Sequence, residues 1–311
     1  MANSDRPRRF IVTADDFGLT RGVNDAIVLA HREGIVTAAS LMVNGRAFES
    51  AVALAKANPE LDVGLHLNLT EGPPISDPAD VPSLAMGRGF RYNHPVSLAI
   101  ATVQGKVRVA DLEREIRSQC ERMLSSGLRI SHVDGHKHVH VIPAVRRLLD
   151  SVLPDYGVKA MRQVIERMPG LHGFLLKNYR ACGQVFEQYL LAKMVAAISR
   201  KAPFVSPDYF YGLTQTGFLD SDAFANIIHD MKAGVSELMC HPGYADAELD
   251  QVPTRLRSQR ERELELLTSG KVRDLISRSG VELINYRELV RSLEIKSIAS
   301  KCSGTNKVNA G

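Results

Sequence analysis

The sequence predicts an α/β fold built as a (β/α) barrel in a single domain. Short apolar runs alternate with segments of helical pattern along most of the chain, and strands separated by helices form a parallel sheet. There are roughly seven or eight such units, which favours a barrel, irregular in detail, over an open sheet. The chain has 311 residues, of which 44% are hydrophobic, enough for one large domain. An open doubly wound sheet is the alternative fold.

The first half of the chain contains four apolar or β-branched runs that predict strands. They cover residues 10–14, 36–43, 61–69 and 130–133. Thr20 is placed to cap the first helix and Gly34 to close it, while Pro59 ends the second. The helices predicted in this half cover residues 20–31, 47–57, 108–124 and 144–152.

The second half continues the alternation. Its predicted strands cover residues 158–161, a segment near Tyr209, and residues 235–240 and 281–284. Its predicted helices cover residues 171–198, 221–232 and 255–267, and segments near Val272 and Arg287. Ordinary core packing is the plainest role for the helix at residues 171–198, although it is also a candidate surface for a homodimer or a cover for the pocket.

Three segments fall outside this alternation. Residues 72–95 contain five prolines together with Gly87 and Gly89, which indicates a long loop over one end of the molecule. Residues 1–8 are expected to be a flexible N-terminus and residues 294–311, rich in Ser, Lys, Asn and Gly, a disordered tail. The catalytic barrel domain is therefore predicted to span residues 9–293.

Composition and charge exclude several classes of function. The 39 basic residues against 35 acidic ones give a net charge of +4 without a basic cluster, which argues against nucleic acid as a partner. We find neither an apolar secretion signal nor a transmembrane segment of roughly 20 apolar residues. The four cysteines are far apart in the sequence, so a disulfide framework is not expected and the cytoplasm is the predicted location.

Acidic and imidazole side chains sit in or directly after four different predicted strands. Because the carboxyl ends of the strands in a parallel barrel meet on one face, we expect these residues to share a pocket. They are Asp15 and Asp16 after residues 10–14, His66 within residues 61–69, Asp134, His136, His138 and His140 after residues 130–133, and His241 after residues 235–240.

Each of these clusters also has an ordinary structural explanation. The aspartate pair is typical of a helix cap, His66 of a core histidine with satisfied hydrogen bonds, and His241 of a turn before Pro242. The segment HVDGHKHVH is harder to explain as a solvated turn, because four of the ten histidines fall between residues 132 and 140. Taken together, the clusters favour a metal centre.

Carboxylate and imidazole are the usual ligands of catalytic Zn²⁺, and they also suit Mn²⁺ and Fe²⁺, whereas Mg²⁺ prefers oxygen ligands. Such an ion polarises a carbonyl oxygen and lowers the pKa of bound water to about 7. Of the two adjacent aspartates, whose side chains point in different directions on an extended backbone, one is free to bind the ion and the other to take a proton. His241 is a candidate proton donor to a leaving amine.

Other catalytic mechanisms find less support in the sequence. It contains no G-x-S-x-G elbow, no G-x-x-x-x-G-K-[ST] phosphate loop and no G-x-G-x-x-G after a strand. Cys240 beside His241 suggests a thiol nucleophile, but immediate neighbours in a chain rarely present a nucleophile and a base to one another. Metal-assisted hydrolysis is therefore the favoured chemistry.

At TADDFG, GLHLNLT, HVDGHKHVH and CHPG the sequence resembles the YdjC-like carbohydrate deacetylases. This family includes diacetylchitobiose deacetylases and hopanoid-associated deacetylases. The resemblance runs from about residue 9 to residue 293, and it implies a distorted (β/α) barrel with one divalent metal ion, Zn²⁺ or Mg²⁺. The loops between the motifs, including residues 72–95, do not match clearly, and substrate choice depends on such loops.

The resemblance also implies roles for individual residues. The metal ligands it implies are Asp16, His66 and His136. Asp15 falls on the general base and His241 on the general acid. The remaining matches are Arg162, which resembles an arginine that steadies the base, and His138 and His140, which are expected near the ligands or facing the substrate.

The predicted function is metal-dependent removal of the acetyl group from an N-acetylated sugar, either an oligosaccharide or a glycolipid. One alternative is a metal-dependent hydrolase that acts on another bond, such as a phosphoester, although no basic cluster accompanies the motifs. The other alternative is a non-catalytic barrel that binds metal or sugar, which would have no need of the second aspartate.

Overall fold

The computed structural model describes residues 6–164, Glu166 and residues 204–305. Within this part of the chain the strands are β1 (Arg8–Phe17), β2 (Ala38–Leu41), β3 (Asp62–Leu67), β4 (Ala85–Met86), β5 (Gly89–Phe90), β6 (Val133–Gly135), β7 (Tyr209–Tyr211), β8 (Gly234–Cys240) and β9 (Val281–Leu283).

The described strands form one seven-stranded parallel sheet and a separate two-stranded hairpin. The sheet order is β6-β3-β2-β1-β8-β7, and β9 pairs with the first residues of β1. The small antiparallel hairpin consists of β4 and β5. Strand β1 therefore lies in the middle of the sheet, and its carboxyl end is surrounded by the ends of its neighbours.

Single bridges extend the sheet beyond its two edges. Val133 of β6 pairs with Met161, and Phe210 of β7 pairs with Glu166. Met161 and Glu166 thus pair with opposite edge strands, and the sheet curls instead of staying open. This arrangement confirms the prediction of a distorted α/β barrel and contradicts the open doubly wound alternative.

Helices follow most of the strands, as the alternation in the sequence predicts. Their bounds are α1 (Arg21–Arg32), α2 (Phe48–Ala57), α3 (Pro95–Val103), α4 (Val109–Ser125), α5 (Pro143–Val152), α6 (Ser221–Asp230), α7 (Ala247–Asp250), α8 (Ser258–Thr268), α9 (Gly270–Ser279) and α10 (Tyr286–Thr305). Short 3₁₀ turns cover His136–Val141 and Leu153–Tyr156.

Helix α1 shows how the local sequence sets these elements. The hydroxyl of Thr20 accepts a hydrogen bond from the backbone N–H of Val23 at 3.2 Å, so the predicted cap is present. One face of the helix, including Val23, Ile27 and Ala30, is buried against the sheet. This packing fixes the turn between β1 and α1, where the aspartate pair lies.

Several boundaries differ from those predicted. The strand predicted at residues 130–133 lies at Val133–Gly135, because its polar last residues pair with β3 in the sheet. Residues 158–161 contribute isolated bridges at Ala160 and Met161, and the helix predicted from residue 255 begins at Ser258. The predicted helix at residues 171–198 lies outside the described residues.

The predicted loop at residues 72–95 contains the β4–β5 hairpin, and the apolar helix α3 begins at its end. At the other end of the chain, α10 continues to Thr305 and so extends past residue 293, where the sequence placed the end of the domain. Residues 294–305 include Glu, Lys and Ala among the Ser residues, and these three favour helix. In the part of the chain that the structure describes, we find no helix with the length and apolar character needed to cross a membrane.

Candidate active site

The end of β1 brings two adjacent carboxylates into one cavity. The register of β1 against β2 shifts between Ala14 and Phe17, and Asp16 has a φ of 69°, which is uncommon for a residue with a side chain. This irregular backbone departs from the extended conformation expected from sequence. As a result Asp15 and Asp16 both line the cavity, and both are almost fully buried.

Asp16, His66 and His136 meet at one point, although they come from three separate elements. The Oδ1 atom of Asp16 lies 3.0 Å from Nδ1 of His136 and 3.6 Å from Nε2 of His66. One ligand atom from each residue lies within 4.8 Å of the others. The three side chains that the sequence predicts as metal ligands are therefore close enough to share one cation.

The far side of each imidazole is held by a carboxylate. Nδ1 of His66 donates to Oδ1 of Asp134 at 2.7 Å, and Nε2 of His136 donates to Oε2 of Glu71 at 3.1 Å. The ammonium group of Lys137 pairs with the same Glu71. Metal-binding histidines usually donate their second nitrogen in this way, which leaves the first nitrogen as an acceptor for the ion. The donor set and its surroundings fit one divalent cation.

A second acidic group, formed by Asp15, His66 and Asp134, has the spacing of a metal site but already contains a cation. The guanidinium of Arg162 contacts the two oxygens of Asp15 at 2.7 and 2.8 Å. It also lies 2.7 Å from Asp134. Arg162 thus neutralises this group, and the Asp16 cluster is the better candidate for an ion.

Arg162 is part of a larger buried network. Its Nε atom donates to Glu237 at 2.9 Å, and Glu237 also accepts from the hydroxyls of Thr13 and Tyr286 at 2.8 and 2.7 Å. The sequence predicted that Arg162 steadies the base, and the structure places it in a two-point contact with Asp15. A planar guanidinium held from both sides fixes the orientation of that carboxylate.

The pKa values of the two aspartates are shifted in opposite directions. Burial raises the pKa of Asp15 to about 6, and the charge of Arg162 opposes the rise. Burial also disfavours the charged form of Asp16, but Arg260 and the hydrogen bonds from His136 and His66 outweigh it, so the pKa of Asp16 is well below its usual value. Asp15 is therefore suited to accept a proton near neutral pH, and Asp16 to remain a charged ligand.

His241 follows β8 and lines the cavity, and the residue before it, Cys240, pairs with Ala14 of β1 just before the aspartates. The backbone N–H of His241 donates to Glu263 at 2.6 Å, and its ring Nδ1 is buried without a hydrogen-bond partner among the described residues. Burial lowers the pKa of His241 to about 3, so its ring is neutral in the free site. The adjacent Cys240 is fully buried, donates to the carbonyl of Thr13, and has a pKa raised by burial, which disfavours a thiol nucleophile.

His138 and His140 occupy different positions. His138 lines the cavity, has a φ of 58°, and lies edge-on to Phe210 with ring centroids 6.4 Å apart. Its Nδ1 and both ring nitrogens of His140 are buried and lack hydrogen-bond partners within the described part of the chain. Of the two, His138 is the one placed to face a substrate, since His140 does not line the cavity.

The site includes three charged residues that were not predicted from the sequence, Glu71, Glu237 and Arg260, together with Asp134, which was expected in the pocket without a specific role. Asp134 lies within the motif HVDGHKHVH and Glu71 directly follows the motif GLHLNLT, so their positions carried a signal. Arg260 lies in a charged helix that looks solvent-exposed, yet its Nη2 atom donates to Oδ2 of Asp16 at 2.5 Å. No local sequence signal identifies this contact, because it joins residues 244 positions apart.

The cavity has a volume of about 270 Å³. Besides the residues described above, the end of the predicted loop contributes His94 to its wall, with Pro95 and Val96 from the start of α3. Arg255 and Leu256 also line the cavity. The loop expected to cover one end of the molecule therefore reaches the site.

The sequence matches the family described as YdjC-like protein over residues 9–278. A carbohydrate deacetylase of Brevibacillus brevis is 36% identical over 282 residues, which cover 90% of this chain and 99% of the relative. A carbohydrate deacetylase of Homo sapiens is 34% identical over 301 residues, covering 91% and 92% of the two chains.

A solved structure from Enterococcus faecalis, described as a candidate cellobiose-phosphate cleavage protein, superimposes with a TM-score of 0.73. It is 24% identical in sequence, and the match covers 91% of this chain and 99% of that one. This likeness shows a shared fold.

Proposed function

This chain belongs to the YdjC-like family, and from that premise we propose that it removes the acetyl group from an N-acetylated sugar with the help of one divalent cation. The observation that carries the proposal is the meeting of Asp16, His66 and His136 in one buried cavity beside Asp15. Relatives named carbohydrate deacetylases match nearly their whole length, which supports the same reaction here.

Asp16, His66 and His136 would hold the cation. When bound, it supplies Lewis-acid polarisation of the acetyl carbonyl and acidifies water. One carboxylate and two imidazoles suit Zn²⁺ better than Mg²⁺, which prefers oxygen ligands. We therefore propose Zn²⁺ as the better match to this donor set, with Mg²⁺ as the alternative.

Asp15 is the general base in this proposal. It accepts a proton from the attacking water while Arg162 holds both of its oxygens in place. The water oxygen forms a bond to the acetyl carbon, and the carbonyl oxygen takes up negative charge. The C–N bond then breaks, so the products are acetate and a free amino sugar.

His241 delivers the proton that the leaving nitrogen needs. Its ring is neutral in the free site, and negative charge that develops beside it in the transition state raises its affinity for a proton. The unpartnered Nδ1 at the cavity wall is available for this exchange. The proton that Asp15 removes from water is passed to the neutral ring of His241 as negative charge develops, and His241 gives it to the nitrogen, so one proton leaves the water and one reaches the amine.

Acetate release from N-acetylated oligosaccharides tests the proposal directly. We expect release by the zinc-loaded protein, its loss after treatment with a chelator, and its return when Zn²⁺ or Mg²⁺ is added. A panel of phosphoesters run in parallel tests the alternative bond. If the protein demonstrably binds metal and yet releases no acetate from any such sugar, the proposal fails.

The non-catalytic alternative makes a different prediction. A sugar-binding barrel would show no turnover in the wild-type protein, and Asp15→Asn would leave sugar affinity unchanged. The buried pair of Asp15 with Arg162 favours catalysis, because a binder has no use for a base of raised pKa. The cytoplasmic location and the homodimer are further proposals, to be tested by cell fractionation and by measurement of the mass in solution.

A further inference from the structure

Arg260 has one nitrogen that nothing in the described structure satisfies. The side chain is about 1% exposed. Its Nε atom donates to the carbonyl of Leu256 at 3.2 Å and its Nη2 atom to Asp16 at 2.5 Å. Nη1 is buried and has no hydrogen-bond partner among the residues that the structure describes. A buried charged donor without a partner is costly, so its presence at a cavity wall points to an acceptor that arrives with the ligand.

The position of Arg260 is set by its neighbours. The backbone N–H of Gly243 donates to the carbonyl of Arg260 at 3.3 Å. A Cβ atom at residue 243 would lie only 2.9 Å from Cδ of Arg260, so the glycine of the CHPG motif leaves room for this side chain. The guanidinium is thus held at its stem, at Nε and at Nη2, while Nη1 stays free.

Asp16 links this guanidinium to the candidate metal centre. Oδ1 of Asp16 faces the two imidazoles, and Oδ2 of the same carboxylate accepts from Arg260. The free nitrogen therefore belongs to a group next to the cation that Asp16 would hold. If Arg260 served only to balance the charge of Asp16, the contact at Nη2 would be enough. A second buried donor, Nη1, would then have no purpose.

We propose that Nη1 of Arg260 donates a hydrogen bond to the acetyl oxygen of the substrate and, after the reaction, to a carboxylate oxygen of acetate. This assignment rests on the proposed deacetylation. The acetyl oxygen gains negative charge as water adds, so a fixed cationic donor stabilises the transition state more than the neutral amide. Arginine suits this role because it keeps its charge and its planar geometry.

Arg260→Lys provides the main test. Lysine keeps a positive charge near Asp16 but has no second planar nitrogen. We expect Zn²⁺ affinity, measured by competition with a coloured chelator, to change by no more than about threefold, since the three ligands remain. We expect kcat to fall about 100-fold, the typical loss for one oxyanion donor, and the inhibition constant for acetate to rise at least tenfold.

Arg257→Lys is the matched control. Arg257 lies just before α8, pairs with Asp250, and does not line the cavity. It should retain wild-type kcat, Zn²⁺ affinity and acetate inhibition. If Arg260→Lys also keeps wild-type acetate inhibition, or if its lost activity returns fully at saturating Zn²⁺, the assignment is overturned.

Arg260→Ala with added guanidinium gives an independent readout and decides the matter if the lysine variant does not fold. The truncation leaves space beside Asp16. We expect added guanidinium, but not ammonium, to raise the kcat of Arg260→Ala at least tenfold. Failure of this rescue in a folded, zinc-loaded variant overturns the proposal. An inactive wild-type protein would instead refute the deacetylase function itself, so the two failures are distinguishable.

Discussion

The cavity has two walls of opposite character. The paired wall consists of Asp15, which lines the cavity, and of Asp134, Arg162 and Glu237 behind it. All four side chains are buried, and Arg162 contacts the three carboxylates at distances of 2.7 to 2.9 Å. The open wall is formed by His138 and Arg260, which are buried, and by His241, which is partly buried. Each of these side chains has a buried nitrogen without a partner among the described residues.

This difference separates two tasks. Buried charges that satisfy one another hold their positions, so the paired wall keeps the base and the histidine His66 in a fixed orientation. Unpartnered nitrogens have a cost in the free protein that a ligand can remove, so the open wall is where substrate atoms are expected. The following predictions test this division, from the largest expected effect to the smallest.

Asp15→Asn removes the proton acceptor from the paired wall while it preserves the size of the side chain. We expect kcat to fall by about 10³- to 10⁴-fold, because the amide cannot accept the proton from water. Zn²⁺ affinity should stay within a few fold, since Asp15 is not one of the three ligands. Steady-state kinetics and metal competition check both statements, and a parallel loss of metal would show that the two aspartates do not have separate roles.

His241→Ala removes a proton donor from the open wall. We expect acetate release from an N-acetylated sugar to fall about 100- to 1,000-fold. Hydrolysis of an aryl acetate should fall less than about tenfold, because a phenolate leaves without a proton. His229→Ala, which changes an exposed residue of α6, is the control and should behave as the wild type. Equal losses on both substrates would contradict the assigned role.

Glu71→Gln tests whether a carboxylate behind His136 matters as much as the one behind His66. The amide still accepts a hydrogen bond from Nε2 of His136, but it no longer carries charge. We expect Zn²⁺ affinity to fall about 10- to 100-fold, as is typical when the carboxylate partner of a metal-bound histidine is changed. Unchanged affinity would show that Glu71 serves Lys137 alone.

Glu263 supports the open wall from behind His241, and burial raises its pKa to about 7. A pKa raised on folding means that the neutral carboxyl stabilises the protein fully below pH about 4.5, and that this contribution is lost as pH rises through about 7. Between pH 5.5 and 8 the loss should be about 2 kcal/mol. Urea unfolding should show a correspondingly smaller decline in Glu263→Gln, and an identical decline would contradict this.

The sequence predicts those residues of both walls that lie in or directly after strands. Asp15 and Arg162 stand at the ends of strand-like segments, and the ends of parallel strands meet whatever the loops do. Their meeting therefore follows from the fold class. The same reasoning brings His66 and His136 to Asp16, because each lies in or directly after a strand of the sheet.

Arg260 of the open wall depends on packing that local pattern does not encode, whereas His138 and His241 were predicted from their motifs. Arg260 is one of several charged residues in α8, and its burial follows from a glycine at residue 243 and a carboxylate on β1. The irregular backbone at Asp16 was likewise not predicted, because no residue in the motif indicates a positive φ at this position. The last two residues of β6 were also not predicted to belong to the strand, because they do not continue its apolar pattern.

The central claim is that Asp16, His66 and His136 together hold one cation, and equilibrium dialysis against Zn²⁺ tests it most directly. The account predicts one ion per wild-type chain, and no stoichiometric binding at the same free Zn²⁺ by His136→Ala, with the fold of the variant checked by circular dichroism. Wild-type binding by a folded His136→Ala, or no uptake of any divalent ion by the wild-type protein, would contradict it.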